Sequence, residues 1–94
     1  MNGTAPNPRV QQIRELLVAG LAPLECVVTD ESALHVGHVG AAGGGGHFRV
    51  RIVAAKFEGQ NRLARQRLVY HYLDDMMRAD IHALTLITLT PSEA

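Results

Sequence analysis

The histidines of this chain are the residues whose type and spacing most favour metal chemistry. His35 and His38 lie in a glycine-rich segment. His47 ends that segment and opens an apolar run, and His82 opens another apolar run 35 residues later. If both runs are strands joined by one helix, they are expected to be parallel, and their first residues then meet at one end of a sheet. Because a neutral imidazole is the commonest metal ligand in proteins, the spacing predicts a metal or cluster site there.

The two loop histidines can chelate one ion together, since a flexible loop allows both rings to turn inward. A solvated polar loop is the alternative interpretation, and the sequence does not choose between His35 and His38. Two protein histidines cannot close a tetrahedral site, which favours a shared site in which a partner supplies thiolates. His47 is a weaker candidate because strand alternation places it on the face opposite Phe48. His71 falls on the polar side of a helix and is expected to be exposed.

Hydrophobic periodicity predicts the elements that position these histidines. Apolar residues at three- and four-residue spacing, from Val10 to Leu21, indicate a first helix, with Gly20 as its stop. Six of the nine glycines fall between positions 31 and 46, so no regular element is expected there. The predicted elements are a helix over 8–19, strands over 24–29 and 48–54, a turn at 57–59, a helix over 62–77 and a strand over 82–90.

This element order restricts the topology. The first two strands can pair antiparallel across the glycine-rich segment, whereas the second and third are joined by a right-handed helical crossover and are therefore parallel. We expect a single small α+β domain over residues 8–94, preceded by a flexible tail over 1–7. Its order is α-β-β-α-β, with a three-stranded mixed sheet and both helices packed on one face.

Short motifs spread across the chain together resemble the BolA family. They are Asp30-Glu31-Ser32, Gly46-His47-Phe48-Arg49-Val50, Phe57-Glu58-Gly59, Arg65-Gln66-Arg67-Leu68-Val69-Tyr70, Ile81-His82-Ala83-Leu84 and Thr90-Pro91. They occur in order and at fitting intervals across almost the whole chain after residue 8. The resemblance implies a fold similar to a type II KH domain, which agrees with the order derived above.

The resemblance also implies a function. BolA-family members bind monothiol glutaredoxins and share a [2Fe–2S] cluster with them, so we expect a role in iron–sulfur cluster assembly, trafficking or iron sensing. His82 matches the recurrent ligand, and the second ligand comes from the loop that holds His35 and His38. No cofactor is expected in the isolated chain. The family commonly has a histidine where this chain has Gln66, and many members continue beyond the position of Ala94.

A DNA-binding transcriptional regulator of a stress or morphology response is the alternative function that the resemblance permits. Six of the nine basic residues lie between positions 49 and 67, where Glu58 is the only acid. The candidates for phosphate contacts are Arg49, Arg51, Arg62, Arg65 and Arg67. However, the formal net charge is zero, and the segment lacks the GxxG loop by which KH domains clamp a nucleic-acid backbone. A solvated basic face, or a docking face for an acidic partner, explains the cluster equally well.

Composition and motifs weigh against several other classes of protein. We find no nucleophile–base arrangement, phosphate loop or facing carboxylate pair, so an enzyme is not expected. Cys26, the one cysteine, lies among valines and is expected to act as a small buried hydrophobe. No run approaches the roughly 18 apolar residues of a membrane span, and the N-terminus lacks the apolar core of a signal peptide. We expect a soluble cytoplasmic protein, with a weak homodimer left open.

Overall fold

The helices and strands follow the predicted order along the chain, except that the second predicted helix is divided in two. In a computed structural model that describes residues 8–32 and 46–94, the chain forms three α-helices, three strands and two short 3-10 turns. The elements are α1 (Pro8–Leu21), β1 (Glu25–Asp30), β2 (Gly46–Val53), a 3-10 turn (Ala55–Phe57), α2 (Arg62–Tyr72), α3 (Asp74–Met77), β3 (Ile81–Leu89) and a second 3-10 turn (Pro91–Glu93). The predicted strand boundaries differ from these by one or two residues. The predicted tail, 1–7, lies outside the described residues.

The three strands form one mixed sheet in the order β1-β2-β3. β1 pairs antiparallel with β2, so that Asp30 lies opposite Phe48. β2 pairs parallel with β3, so that Phe48 also lies beside Leu84. The predicted α+β class and its mixed sheet are confirmed. Because β2 and β3 run in the same direction, His47 and His82, the second residues of these neighbouring strands, lie at the same end of the sheet, as the crossover predicted.

The core lies between one face of the sheet and the helices. Phe48, Val50 and Ile52 of β2 are fully buried and belong to one cluster with Ile13 of α1 and Val69 of α2. Each such side chain contributes roughly 1.5–3 kcal/mol by leaving water. The intervening arginines of β2 project from the opposite face, where alternation of the strand predicted them. Burial of the even-numbered side chains therefore fixes which face of β2 the helices cover.

The end of α1 differs from the prediction. The helix continues through Gly20 to Leu21, and the residue with left-handed backbone is Ala22, whose φ is 46°. Gly20 instead lies against the ring of Tyr72, where a Cβ would come within 2.4 Å of Cδ1. The predicted stop at Gly20 was wrong because close approach of α1 to α2, and not the turn, requires a glycine there.

A buried turn leads from β2 into α2. Phe57 closes the 3-10 turn and is fully buried, and Gly59 follows with a left-handed φ of 74°. Asn61 then caps α2 by accepting a hydrogen bond from the backbone N–H of Ala64 at 2.8 Å. The predicted turn over 57–59 is confirmed, and its aromatic residue anchors the start of α2 in the core.

The second predicted helix is divided into two. α2 ends at Tyr72 and α3 begins at Asp74, because Leu73 has a φ of −102° and a ψ of 10°. Leu73 is fully buried, and Met76 is only 6% exposed. Both apolar side chains thus reach the core on either side of the break. The 3.6-residue period of apolar residues does not reveal that the helix is interrupted there.

Candidate functional site

His82 lies at the N-terminal end of β3, beside an irregularity in the β2–β3 pairing. Gly46 is paired with Ile81 but His47 is paired with Ala83, so β3 has one extra residue at this point. The side chain of Ile81 is buried in the core, whereas that of His82 is exposed. Bulges of this kind redirect a side chain at a sheet edge. The imidazole of His82 makes no hydrogen bond to any other part of the chain that the structure describes.

His47 is the second residue of β2, near His82, and its neighbours hold it by hydrogen bonds. Its backbone N–H donates to Oγ of Ser32 at 3.0 Å. Its ring Nε2 lies 3.3 Å from Oγ1 of Thr85 on β3. His47 is half-buried on the sheet face opposite Phe48, as the strand alternation predicted. These contacts give His47 a structural role at the start of the strand.

The Asp30-Glu31-Ser32 motif brings together the two ends of the glycine-rich segment. The N–H of Ser32 donates to Oδ1 of Asp30 at 2.8 Å, which closes a tight turn after β1. The N–H of Glu31 donates to the carbonyl of His47 at 2.8 Å. Together with the Ser32–His47 bond, these contacts fix Ser32 and Gly46 beside each other. The segment that holds the loop histidines therefore leaves and returns at the end of the sheet where His82 lies.

Gly46 has a structural role that sequence reasoning missed, because the prediction treated it only as part of a flexible run. A Cβ on Gly46 would lie 2.5 Å from Cε2 of Phe48 and 3.1 Å from Oγ of Ser32. Its N–H donates to the carbonyl of Asp80 at 3.0 Å. The start of β2 therefore needs a glycine so that the Phe48 ring can fill the core. Nothing in the local spacing signals this contact.

The described residues do not by themselves bring together a set of metal ligands. Within residues 8–32 and 46–94, no three His, Cys, Asp or Glu side chains are clustered so that they could hold an ion. The predicted ligands His35 and His38 lie outside the described residues. Nitrogen donors from His82 and from one loop histidine would fit a shared cluster whose remaining ligands are partner thiolates.

Cys26 does not add to this site. It pairs with Ile52 toward the opposite end of the sheet from His82. Its side chain packs against the core, and burial raises the pKa of the thiol, although the nearby charge of Arg14 acts in the opposite direction. Since the thiolate is the ligand form of cysteine, the expectation of a small core hydrophobe agrees with this position.

The five arginines of the alternative nucleic-acid site fall into two groups. Arg49 forms an ion pair with Glu31 at 3.0 Å, and Arg51 forms one with Glu25. Arg65 forms the third such pair, with the carboxylate of the C-terminal 3-10 turn. The other two, both exposed on α2, have no ion pair within the described ranges; they are Arg62 and Arg67. Only this second group offers uncompensated positive charge.

Arg65 joins three elements of the fold, a role that the sequence did not indicate. Its Nη1 donates to the carbonyl of Thr88 at 3.1 Å and to Oε1 of Glu93 at 2.7 Å, and its Nε donates to the carbonyl of Gln60 at 2.8 Å. The Arg65 hydrogen bond and the backbone N–H of Thr90 lower the pKa of Glu93 to about 2. The Thr-x-x-Glu spacing at 90–93, typical of a capping box, is the one sequence signal for this arrangement.

Comparison with known proteins agrees with this geometry. The family model described as BolA-like protein matches residues 17–93. The chain belongs to the BolA-like family. It is 43% identical over 89 residues to Protein BOLA1, chloroplastic, of Arabidopsis thaliana, covering 92% of this chain and 56% of that protein. It is 38% identical over 97 residues to SufE-like protein 1, chloroplastic/mitochondrial, of the same plant, covering 98% of this chain but only 26% of that protein.

Solved structures of this family share the fold. The BolA domain of SufE1 from Arabidopsis thaliana aligns with a TM-score of 0.84 at 38% identity, over 96% of this BolA-like chain and all of that one. BolA1 from the same plant aligns with a TM-score of 0.79 at 39% identity, over 96% and 99% of the two chains. The arrangement of helices and strands described above is thus shared with these two structures.

The names of the relatives bear on function and location. One relative, 37% identical over 83 residues, is the DNA-binding transcriptional regulator BolA of Escherichia coli (strain K12), of which this chain covers 76%. The matching family and relatives are BolA-like proteins and a regulator, not an enzymatic family. The plant relatives are chloroplastic or mitochondrial, so the expected cytoplasmic location stays a prediction. None of the described helices is both long and apolar enough to cross a bilayer.

Proposed function

We propose that this BolA-like chain is a non-enzymatic partner of a monothiol glutaredoxin in iron–sulfur cluster assembly, trafficking or iron sensing. In this role it donates His82, and one loop histidine, to a [2Fe–2S] cluster shared with the partner. The observation that supports the proposal is the exposed imidazole of His82, which has no hydrogen-bond partner in the described chain. It lies at the sheet end where Ser32 and Gly46 join the segment that contains His35 and His38.

The chemistry of the available donors agrees with a shared cluster. Iron–sulfur clusters are most often held by cysteine thiolates, and replacing two of them by histidine on one iron raises the reduction potential. This chain offers nitrogen donors at the sheet end, whereas its one cysteine packs against the core elsewhere. The partner would therefore supply thiolates and this chain imidazoles. The bulge beside His82 exposes the ring to a partner, and the contacts of His47 favour a loop histidine as the second ligand.

The test is co-purification with a monothiol glutaredoxin followed by the visible absorption spectrum of the reconstituted complex. His82→Ala is expected to abolish the histidine contribution to the spectrum while the fold is retained, because an exposed strand-end side chain carries little packing. His71→Ala is the matched control, since His71 is also exposed but lies on α2. His71→Ala should leave the spectrum unchanged.

The loop variants identify the second ligand. His35→Ala or His38→Ala should weaken the cluster, and the double variant should approach the effect of His82→Ala. If a His82→Ala protein still forms a heterodimeric cluster with the original spectrum, the proposed site is excluded.

DNA binding is the second candidate function, supported by the name of the Escherichia coli relative. In this structure Arg62 and Arg67 are exposed on α2 without an ion pair to a described residue. If both contact phosphates, the affinity for duplex DNA should fall with salt at a slope of about −0.9 per contact. The double alanine variant of Arg62 and Arg67 should then reduce the salt dependence of DNA affinity by the equivalent of about two phosphate contacts. Arg49→Ala should not reduce it, because Arg49 is already paired with Glu31. Absence of DNA binding at low salt would eliminate this candidate.

A further inference from the structure

β3 is an edge strand whose outer side is not paired with any described strand. The sheet order places β2 on one side of β3 only. The carbonyl of Leu89 accepts a hydrogen bond from Ala54, just beyond β2, at 3.0 Å. Because successive residues of a strand direct their backbone groups to opposite sides, Leu84, Leu86 and Thr88 direct their N–H and C=O groups away from β2.

The C-terminal part of this outer side is already occupied by side chains. Arg65 donates to the carbonyl of Thr88 at 3.1 Å, and the N–H of Thr90 donates to Oε1 of Glu93 at 2.8 Å. Covering an edge with charged side chains prevents uncontrolled strand pairing. The backbone groups of Leu84 and Leu86 have no such cover from described side chains. We call these two residues the open edge of β3.

A cleft adjoins the open edge at the start of α2. It has a volume of about 300 Å³ and is lined by Arg62, Arg65, Leu86, Ile87, Thr88, Leu89 and Glu93. Leu86 and Ile87 are consecutive in β3, so their side chains project to opposite faces of the sheet. Because both residues line the cleft, the cleft lies along the edge of the strand. Three of the lining residues are aliphatic, and the other four are polar or charged.

The charge of the cleft favours an acidic occupant. Arg65 is paired with Glu93 at 2.7 Å, so these two charges compensate each other. Arg62 is exposed and has no ion pair within the described part of the chain. Two arginines and one glutamate leave one net positive charge in the lining, carried by the Arg62 guanidinium.

We infer that the open edge of β3 binds an extended acidic segment of a partner protein as a fourth strand. Backbone hydrogen bonds to Leu84 and Leu86 would hold the segment, as in strand addition to other exposed sheet edges. One carboxylate of the segment would pair with Arg62 in the cleft. The open edge offers only four backbone groups, the N–H and C=O of two residues, for hydrogen bonds. An isolated peptide is therefore expected to bind weakly, with a Kd on the order of 1 mM. This inference goes beyond the proposed function, since it needs neither a cluster nor His82.

The experiment uses the full chain without glutaredoxin, so that its failure is distinct from failure of the cluster proposal. The ¹⁵N-labelled protein is titrated with the acetylated, amidated peptide Thr-Val-Glu-Val-Glu-Thr, and amide shifts are followed by NMR. Binding should shift the amides of Leu84 and Leu86 and leave those of β1 unchanged. Arg62→Ala should weaken binding three- to tenfold. Arg67→Ala should have no effect, although Arg67 is also exposed on the same helix and has no ion pair to a described residue.

Two modified peptides separate strand addition from other modes of binding. A peptide with lysine in place of both glutamates should not bind, because it meets Arg62 with like charge. A peptide N-methylated at every residue has no backbone N–H donor on either edge and should bind at least tenfold more weakly. The inference is wrong if β3 amides do not shift at 5 mM peptide, or if either modified peptide binds equally well. It is also wrong if the shifts depend on protein concentration alone, which indicates that a second copy occupies the edge.

Discussion

Replacing Arg65 with alanine tests how strongly one side chain joins α2 to the end of β3. The substitution removes the hydrogen bond from Nε to the carbonyl of Gln60 and that from Nη1 to the carbonyl of Thr88. It also removes both contacts with the carboxylate of Glu93, at 2.7 and 3.4 Å. The Arg65 side chain is only 14% exposed, so water cannot fully replace it. The expected result is a loss of folding stability.

The magnitude follows from the two bonds to backbone carbonyls. A hydrogen bond that involves a charged group contributes about 1.5–3 kcal/mol, and at the lower end of that range the pair contributes about 3 kcal/mol. The ion pair adds little to this sum, because the Glu93 side chain is exposed and solvent screens the attraction. Folded domains are typically stable by only about 5–15 kcal/mol, so the predicted loss is a substantial fraction of the total.

Urea denaturation at neutral pH measures this loss directly. Arg65→Ala should lower the unfolding midpoint without changing the slope, and should lower Tm by on the order of 10–20 °C. Arg65→Lys should restore only part of the stability, since an ammonium group lacks the planar fork of the guanidinium. Arg67→Ala is the matched control and should change stability by less than about 0.5 kcal/mol.

A midpoint for Arg65→Ala equal to that of Arg67→Ala would refute this reasoning. It would mean that the contacts of Arg65 with two other elements do not stabilise the fold. The result also matters for the DNA-binding candidate, because a variant that includes Arg65 would change folding stability as well as any phosphate contact.

Further predictions concern two special backbone positions and one carboxylate. Gly46→Ala should destabilise the fold by about 1–3 kcal/mol, because the new Cβ would overlap the ring of Phe48; an unchanged Tm would contradict this contact. Ala22→Gly should stabilise the fold by about 0.5–1 kcal/mol in thermal denaturation, since relief of the left-handed strain exceeds the entropy that glycine costs, and a lower Tm would reverse that conclusion. The Glu93 pKa is lowered from 4.5 to about 2 in the folded chain, so its stabilising effect should be complete above pH 4.5 and lost as the pH falls through 2. Urea midpoints of the native chain and Glu93→Gln should therefore converge across that window, and a constant difference would disprove the role of Arg65 in holding the carboxylate ionised.

The sequence by itself determined the elements and the topology of this domain. Alternation from Phe48 to Ile52 showed which face of β2 is buried, because side chains of a strand point to opposite faces in turn. The single helix between the second and third apolar runs required a parallel crossover, and this placed His47 and His82 at one sheet end. Both arguments need only local periodicity and the handedness of chain connections, and the structure confirms them.

Only the tertiary structure decided which residues meet across long distances in the sequence. Gly20 was predicted as a helix stop but is required by the Tyr72 ring, 52 residues away along the chain. The sequence placed Arg65 among the candidates for phosphate contacts, but its guanidinium forms a hydrogen bond with Glu93, in a turn 28 residues later. Such pairs follow from the packing of whole helices and strands against each other. A local sequence pattern does not specify that packing. The physical reason is that periodicity specifies which face of an element is buried, whereas the partner on that face depends on the arrangement of all the other elements.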